Sequence, residues 1–248
     1  MSALLDLEEV QRQMTLLKAA VDLAVTPAPV PPSFLETLCS VPEYVGLVQA
    51  FIESLEYNYT GRPFFPIKRS LGTAHLHNVS QQLIREALPI QCVEAVFLGT
   101  HLTTGVTALE RIPLSFKTKF LRGTVHRHIV LAVRYEGKWG AVGISRRPSL
   151  MNKDFVFDTL SDLVENYVTS YEACYHKLLT LYIGLPFTHE LVDQPIKWRA
   201  SKIRVFGKDP AITRDQIEQF VDTMATKAAH FRRAGSLDVG DNCKRTAT

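Results

Sequence analysis

After Leu109 the hydrophobic spacing of this chain changes from helical, close to 3.6 residues, to alternating. Upstream, apolar residues recur at three- and four-residue intervals. Downstream, Ile112 to Phe120, Thr124 to Tyr135 and Trp139 to Ser145 read as strands rich in Val, Ile, Phe and Thr. Glu136-Gly137 between the last two is a two-residue hairpin turn. Helical spacing returns from Asp158 to Leu181, followed by a strand-like piece at Ile203 to Phe206 and a helix from about Thr213 to Phe231. Helices followed by antiparallel strands followed by helices point to an α+β fold.

The helical part begins at residues 3 to 24, where Leu4, Leu7, Val10, Met14, Leu17 and Val21 share a face. Thr26-Pro-Ala-Pro-Val-Pro-Pro32 ends that helix as an extended linker. We divide the chain into an N-terminal helix and linker (1–41), a main domain (42–231) and a disordered polar tail (232–248). The main domain splits into a helical portion, about 42–108, and a sheet portion, about 109–231. In the helical portion, Pro42 opens a helix to about Glu56. Asn78 or Ser80 caps a second through Leu88, and a third begins near Pro89 or Ile90 and stops at Gly105.

That third helix carries Cys92 in its opening turn. Unpaired N–H groups and the positive end of the helix dipole favour an anion there, which predicts an easily ionised thiol. The other cysteines, Cys39, Cys174 and Cys243, show no CxxC spacing, so neither a disulfide framework nor a zinc knuckle is expected. The His75/His77 and His126/His128 pairs lack the neighbouring Cys or carboxylates that would make a zinc site. No cofactor is expected. No apolar run approaches the roughly 20 residues of a membrane span, and the N-terminus lacks a signal-peptide pattern, so a reducing, cytosolic setting is expected. A net charge of +3 leaves attraction to an acidic partner to local clustering, and no nucleic-acid motif is present.

The hairpin supplies a partner for the thiol. With Tyr135 opposite Lys138, facing positions sum to 273, and His128 stands opposite Ser145 beside small Ala132, Ala141 and Gly143. A helix-start Cys, a strand His and a polar group on the next strand follow the logic of a thiol hydrolase: nucleophile, general base and acid, and orienting group. The Ser145 hydroxyl or carbonyl would accept from the imidazole, and the Cys92 N–H would form part of an oxyanion hole. Lys68, Arg69, Lys117, Lys119, Arg122, Arg146 and Arg147 crowd the same region, suiting an acidic peptide or a terminal carboxylate. Taken singly, each feature also has a bland reading: a buried thiol, a satisfied strand histidine, a solvated charged face.

Together, Tyr57-Asn-Tyr-Thr-Gly, Phe64-Phe65, Ile67-Lys68, Glu86-Ala-Leu-Pro-Ile-Gln-Cys-Val-Glu-Ala-Val, Leu109-Glu-Arg, Ser115-Phe-Lys-Thr, Arg127-His-Ile-Val-Leu and Ser145-Arg-Arg closely resemble the vasohibins over residues 40 to 182. The resemblance implies a transglutaminase-like cysteine protease fold and a cytoplasmic, microtubule-associated carboxypeptidase that removes the C-terminal tyrosine of α-tubulin. It implies Cys92 as nucleophile, His128 as base, Ser145 as third member and Tyr57 in the oxyanion hole. It further implies Arg146 as the carboxylate clamp, with Lys68, Arg69 and Arg147 along the groove for the acidic tail. A small vasohibin-binding protein on the N-terminal helices is an implied partner. The chain departs from the pattern at Gln91, where the family often has Lys, and by one extra residue near Leu121-Arg-Gly. The competing readings are a transglutaminase-like acyltransferase and a non-catalytic microtubule-binding protein.

Overall fold

A computed structural model describes Arg12, Leu16 and residues 28–34, 39–121 and 123–238. The helix expected over residues 3 to 24 falls, apart from Arg12 and Leu16, outside the described residues, as does the tail beyond Asp238. From Val41 onward the described chain opens with three helices: α1 (Val41–Ser54), α2 (Thr73–Glu86) and α3 (Cys92–Leu102). Strands β1 (Glu110–Phe120), β2 (Val125–Tyr135), β3 (Lys138–Val142) and β4 (Lys153–Phe157) follow, with a 3-10 turn at Pro148–Leu150. Helix α4 (Leu160–Ala173), β5 (His176–Ile183), β6 (Ser201–Arg204) and α5 (Pro210–Asp238) complete the order.

The strands form one antiparallel sheet in the order β4-β3-β2-β1-β5-β6. Its two faces are both buried, and β2 shows why alternation served as a signal. Ile129, Leu131 and Val133 join the core under α1–α3, while Val130 and Ala132 join the core under α4 and α5. Helix α3 lies close on the sheet at Gly99, where a Cβ would stand 3.1 Å from Leu131 Cδ2 and 3.4 Å from Val142 Cγ1. The fold is α+β, with helices on both faces of an antiparallel sheet.

The helix expected from Asp158 to Leu181 stops at Ala173, and the chain reverses at Tyr175 (φ 61°) to become β5. No glycine marks that reversal. Strand β4 was not expected from the sequence. The final helix runs through Asp238, so residues 232–238, expected to be disordered, continue it instead. Ser161 bonds Glu218 through both its N–H and its hydroxyl, and Arg214 pairs with Asp162 at 2.6 Å, tying α5 to the start of α4.

The hairpin register holds for the five paired positions from Tyr135↔Lys138 to Leu131↔Val142. The ladder then stops, because Gln49 of α1 takes over the backbone of Gly143. Its Nε2 donates to the Gly143 carbonyl (2.9 Å), and its Oε1 accepts from the Gly143 N–H (3.0 Å). His128 and Ser145 therefore lie beyond the paired part of the hairpin.

Candidate active site

Helix α3 begins at Cys92 itself, a little later than Pro89 or Ile90. Ile90 is held back from the helix by a parallel bridge to Tyr57: its N–H donates to the Glu56 carbonyl (3.0 Å), and its carbonyl accepts from the Asn58 N–H (2.8 Å). The Gln91 N–H donates to Glu94 Oε2 (3.2 Å), using a carboxylate in the first turn to satisfy a free donor. At the far end of α3, buried Arg111 donates to the carbonyls of Thr100 (2.9 Å), Thr188 (2.7 Å) and Phe187 (3.4 Å). A cation at a helix C-terminus complements the dipole, and it anchors α3 from behind. Burial lowers the guanidinium's proton affinity to about 10, so it stays charged at pH 7.

Cys92 and His128 stand between two cavities and line both. The larger, of about 390 Å3, is also lined by Tyr57, Ser145, Arg146 and Arg147. The smaller, of about 210 Å3, gathers Arg69, Gln91, Arg127, Tyr182 and Arg199 around the same pair, with the Arg199 guanidinium 4.6 Å from the centroid of the Tyr182 ring. Of the residues expected from the sequence, the structure thus brings Cys92, His128, Ser145, Tyr57, Arg146 and Arg147 to one cavity and Arg69 to its neighbour. Lys68 is exposed and lines neither.

The imidazole is oriented differently from expectation. His128 Nε2 lies 2.8 Å from the Leu150 carbonyl, supplied by the 3-10 turn after Ser145. The Ser145 hydroxyl instead accepts from the Arg147 N–H (3.3 Å), shaping the turn that presents the two arginines. The cause is the end of the β2–β3 ladder at Val142, which frees the following segment to fold back. Phe116, directly opposite His128 across β1–β2, stacks beside the ring at 6.5 Å between centroids.

The electrostatics also correct the reading of an easily ionised thiol. Burial pushes the Cys92 thiol up, with nearby Glu94 adding to the rise. A hydrogen bond with the Ile129 backbone, the Arg69 guanidinium and the helix-start amide pull the other way without reversing it. His128 is pushed down to about 4 by burial, against the Leu150 hydrogen bond, and is neutral at pH 7. The resting pair is thiol and imidazole, not thiolate and imidazolium. Alkylation of Cys92 by iodoacetamide in the free protein is therefore expected to rise about tenfold per pH unit from neutrality upward. A rate flat on the acid side, measured by mass spectrometry of the Cys92 peptide, would show a preformed ion pair instead.

Sequence reasoning missed Arg199, His176 and the Leu150 carbonyl. His176 was hidden by the helix drawn through β5, and a backbone carbonyl has no residue-type signature. His126 was considered only for zinc, although the β1–β2 register puts it opposite Thr118 in the larger cavity.

These features define an α+β protein whose partly buried Cys–His pair is walled by arginines on two sides. A family model described as Vasohibin matches residues 5–225, and Tubulinyl-Tyr carboxypeptidase 1 of Mus musculus is 41% identical over 213 residues. The chain belongs to the vasohibin family. That alignment covers 85% of this chain and 56% of the mouse protein, so the chain spans little more than half of that relative.

Proposed function

We propose that this chain is a cysteine-type carboxypeptidase that removes the C-terminal tyrosine of α-tubulin. The observation that carries the reading is the larger cavity, which sets Cys92 and His128 beside Arg146 and Arg147. A carboxypeptidase needs a reactive pair at the scissile carbonyl and a cation one residue beyond it. A guanidinium supplies bidentate recognition of the free carboxylate. The name of the mouse relative supports the same substrate.

In this mechanism, Cys92 Sγ attacks the carbonyl carbon of the penultimate residue while His128, neutral at rest, takes the thiol proton. The Cys92 N–H and the Tyr57 hydroxyl stabilise the oxyanion. Burial and the neighbouring Cys92 raise the Tyr57 proton affinity, which keeps it a donor. The C–N bond then breaks, His128 protonates the leaving tyrosine amine, and a thioester remains on Cys92. Water attacks the thioester, His128 accepts its proton and returns it to the sulfur, and the shortened tail departs with a new carboxylate.

Arg146 clamps the terminal carboxylate, with its guanidinium 6.0 Å from the Tyr57 ring centroid. Arg147, Arg69 and Lys68 line the path of the acidic tail. Ser145 completes the site by holding the Arg146–Arg147 turn, while the Leu150 carbonyl orients His128. We assign this layout to the transglutaminase-like cysteine proteases, in residues 42–231, and place the enzyme in the cytoplasm on microtubules. A small vasohibin-binding protein on the N-terminal helices is the partner proposed for the remaining surface.

The test is incubation of the purified chain with α-tubulin and a mass spectrum of the tails. Loss of one tyrosine is the expected result. Incorporation of an added amine would mark an acyltransferase, and co-sedimentation with unchanged tail mass a non-catalytic binder. Arg146→Ala is expected to lower kcat/KM for a Tyr-terminated peptide roughly 100-fold, because a charged hydrogen-bonded pair is lost. It should lower it far less for an amidated peptide, and equal losses on both would remove Arg146 from the clamp.

A further inference from the structure

Helix α4 carries two tyrosines, one turn apart, that pack beneath His128. The Phe116 ring, stacked beside the imidazole, has its centroid 4.9 Å from that of Tyr167 and 5.4 Å from that of Tyr171. Tyr167 follows the rule that buried polar groups are paired: its hydroxyl donates to the Met151 carbonyl at 2.6 Å. Tyr171 does not. It is 3% exposed, and its buried hydroxyl has no hydrogen-bond partner among the described residues. Tyr171, unlike Tyr167, lines the larger cavity together with Cys92 and His128. Among the described residues, the other buried unpartnered side-chain atoms belong to His75, Ser80, His101 and Arg111, which line neither cavity. An unpaired buried hydroxyl destabilises the fold, and phenylalanine would fill the same space without that cost. A hydroxyl in this position is accounted for by a partner that arrives during the reaction.

The proposed chemistry lacks such a partner at one step. In acylation every group has its counterpart: His128 takes the thiol proton, Tyr57 and the Cys92 N–H face the oxyanion, and Arg146 holds the carboxylate. In deacylation a water must be held against the thioester, and the groups named so far give it only His128. A fixed water needs two or more polar partners. This step is acylation reversed with water in place of the amine, so the water enters where the amine left. The arginines that receive the leaving residue line the larger cavity, which puts Tyr171 on that side. Burial first, then neighbouring Tyr167, Cys92 and Cys174, hold the Tyr171 proton affinity well above its usual value, so the hydroxyl stays neutral.

We propose that the Tyr171 hydroxyl holds the water that hydrolyses the thioester on Cys92. The inference rests on the carboxypeptidase reading and supplies the group that its second half lacks. One O–H of the water points to His128 and the other to the Tyr171 oxygen. The water oxygen bonds to the carbonyl carbon, the C–S bond breaks, and its electron pair stays on sulfur. His128 carries the first water proton to that sulfur. The second remains on the new carboxyl group, which ionises in solvent. Tyr171 begins and ends the step protonated.

The experiment uses the full chain, unsubstituted and as Tyr171→Phe, in excess over an acidic peptide ending in Tyr. Rapidly quenched samples are read by mass spectrometry for free tyrosine and for the acyl adduct on Cys92. Tyr171→Phe is expected to form the adduct within about twofold of the unsubstituted rate and to lose it about 10-fold more slowly, the worth of one hydrogen bond. Hydroxylamine, which attacks without an anchored water, should release the adduct equally fast from both proteins. The thermal midpoint should hold or rise, since an unpaired hydroxyl leaves the interior. Tyr171→Met, which fills the space without a hydroxyl, is read in the same way should Tyr171→Phe fail to fold. Unchanged decay, equal slowing of formation and decay, or slowed release by hydroxylamine overturns the assignment of Tyr171. Tyrosine release by the unsubstituted chain, alongside any of these, leaves the carboxypeptidase reading standing. No tyrosine release by the unsubstituted chain overturns that reading, and the assignment with it.

Discussion

Cys92→Ala is expected to lower kcat/KM for release of the terminal tyrosine roughly 10^4-fold or more, with the thermal midpoint little changed. In the proposed mechanism the thiol forms the covalent intermediate, and members of a nucleophile–base unit lose nearly all of their effect when one is removed. Folding should tolerate the change, since Cys92 is only partly buried at the start of α3 and Ala is a good helix former. His128→Ala should fall by a comparable factor, and the double variant should be scarcely worse than either. The measurement is a mass spectrum of tail peptides over long incubations. Residual activity within 10-fold of the unsubstituted enzyme would put the nucleophile elsewhere.

The second large effect concerns stability. Arg111→Ala is expected to cost about 3–5 kcal/mol in denaturant unfolding. The side chain is fully buried and donates to three carbonyls, two of them beyond β5 and one in the last turns of α3. Its removal leaves those acceptors unpaired and opens a cavity behind the helix that carries Cys92. Arg111→Met, which refills the volume, should recover part of the loss and no more, because the carbonyls stay unpaired. A change within about 0.5 kcal/mol for Arg111→Ala, the range of an ordinary surface substitution, would show that other groups hold α3 in place.

How much of this was legible in the residues varies by the kind of information involved. The β2–β3 register could be counted from a two-residue turn, because a turn of fixed length leaves pairing no freedom. Where it stopped could not, since the limit is set by Gln49, far away in sequence and near in space. The helix start at Cys92 was visible from Pro89, but the sign of the thiol's shift was not. The helix-start amide is local, whereas the desolvation that outweighs it comes from tertiary packing. Strand β5 was mistaken for helix because Leu178 and Leu181 continue the three-residue spacing of α4 across the reversal at Tyr175. The same error concealed His176, so a misread element took a wall of the cavity with it.

The bridge between Tyr57 and Ile90 sets a main-chain ruler between the two proposed oxyanion donors, the Tyr57 hydroxyl and the Cys92 amide. The span that follows Tyr57 opens with its own stitching, with Asn58 Nδ2 donating to the Arg62 carbonyl and the Thr60 N–H to Asn58 Oδ1. The excursion carrying Lys68 and Arg69 therefore leaves from a base that is already closed. Under the proposed function, its charges can be exchanged to suit a different acidic tail while the spacing of the donors stays put. Tuning of what is gripped is thereby separated from the geometry that cuts.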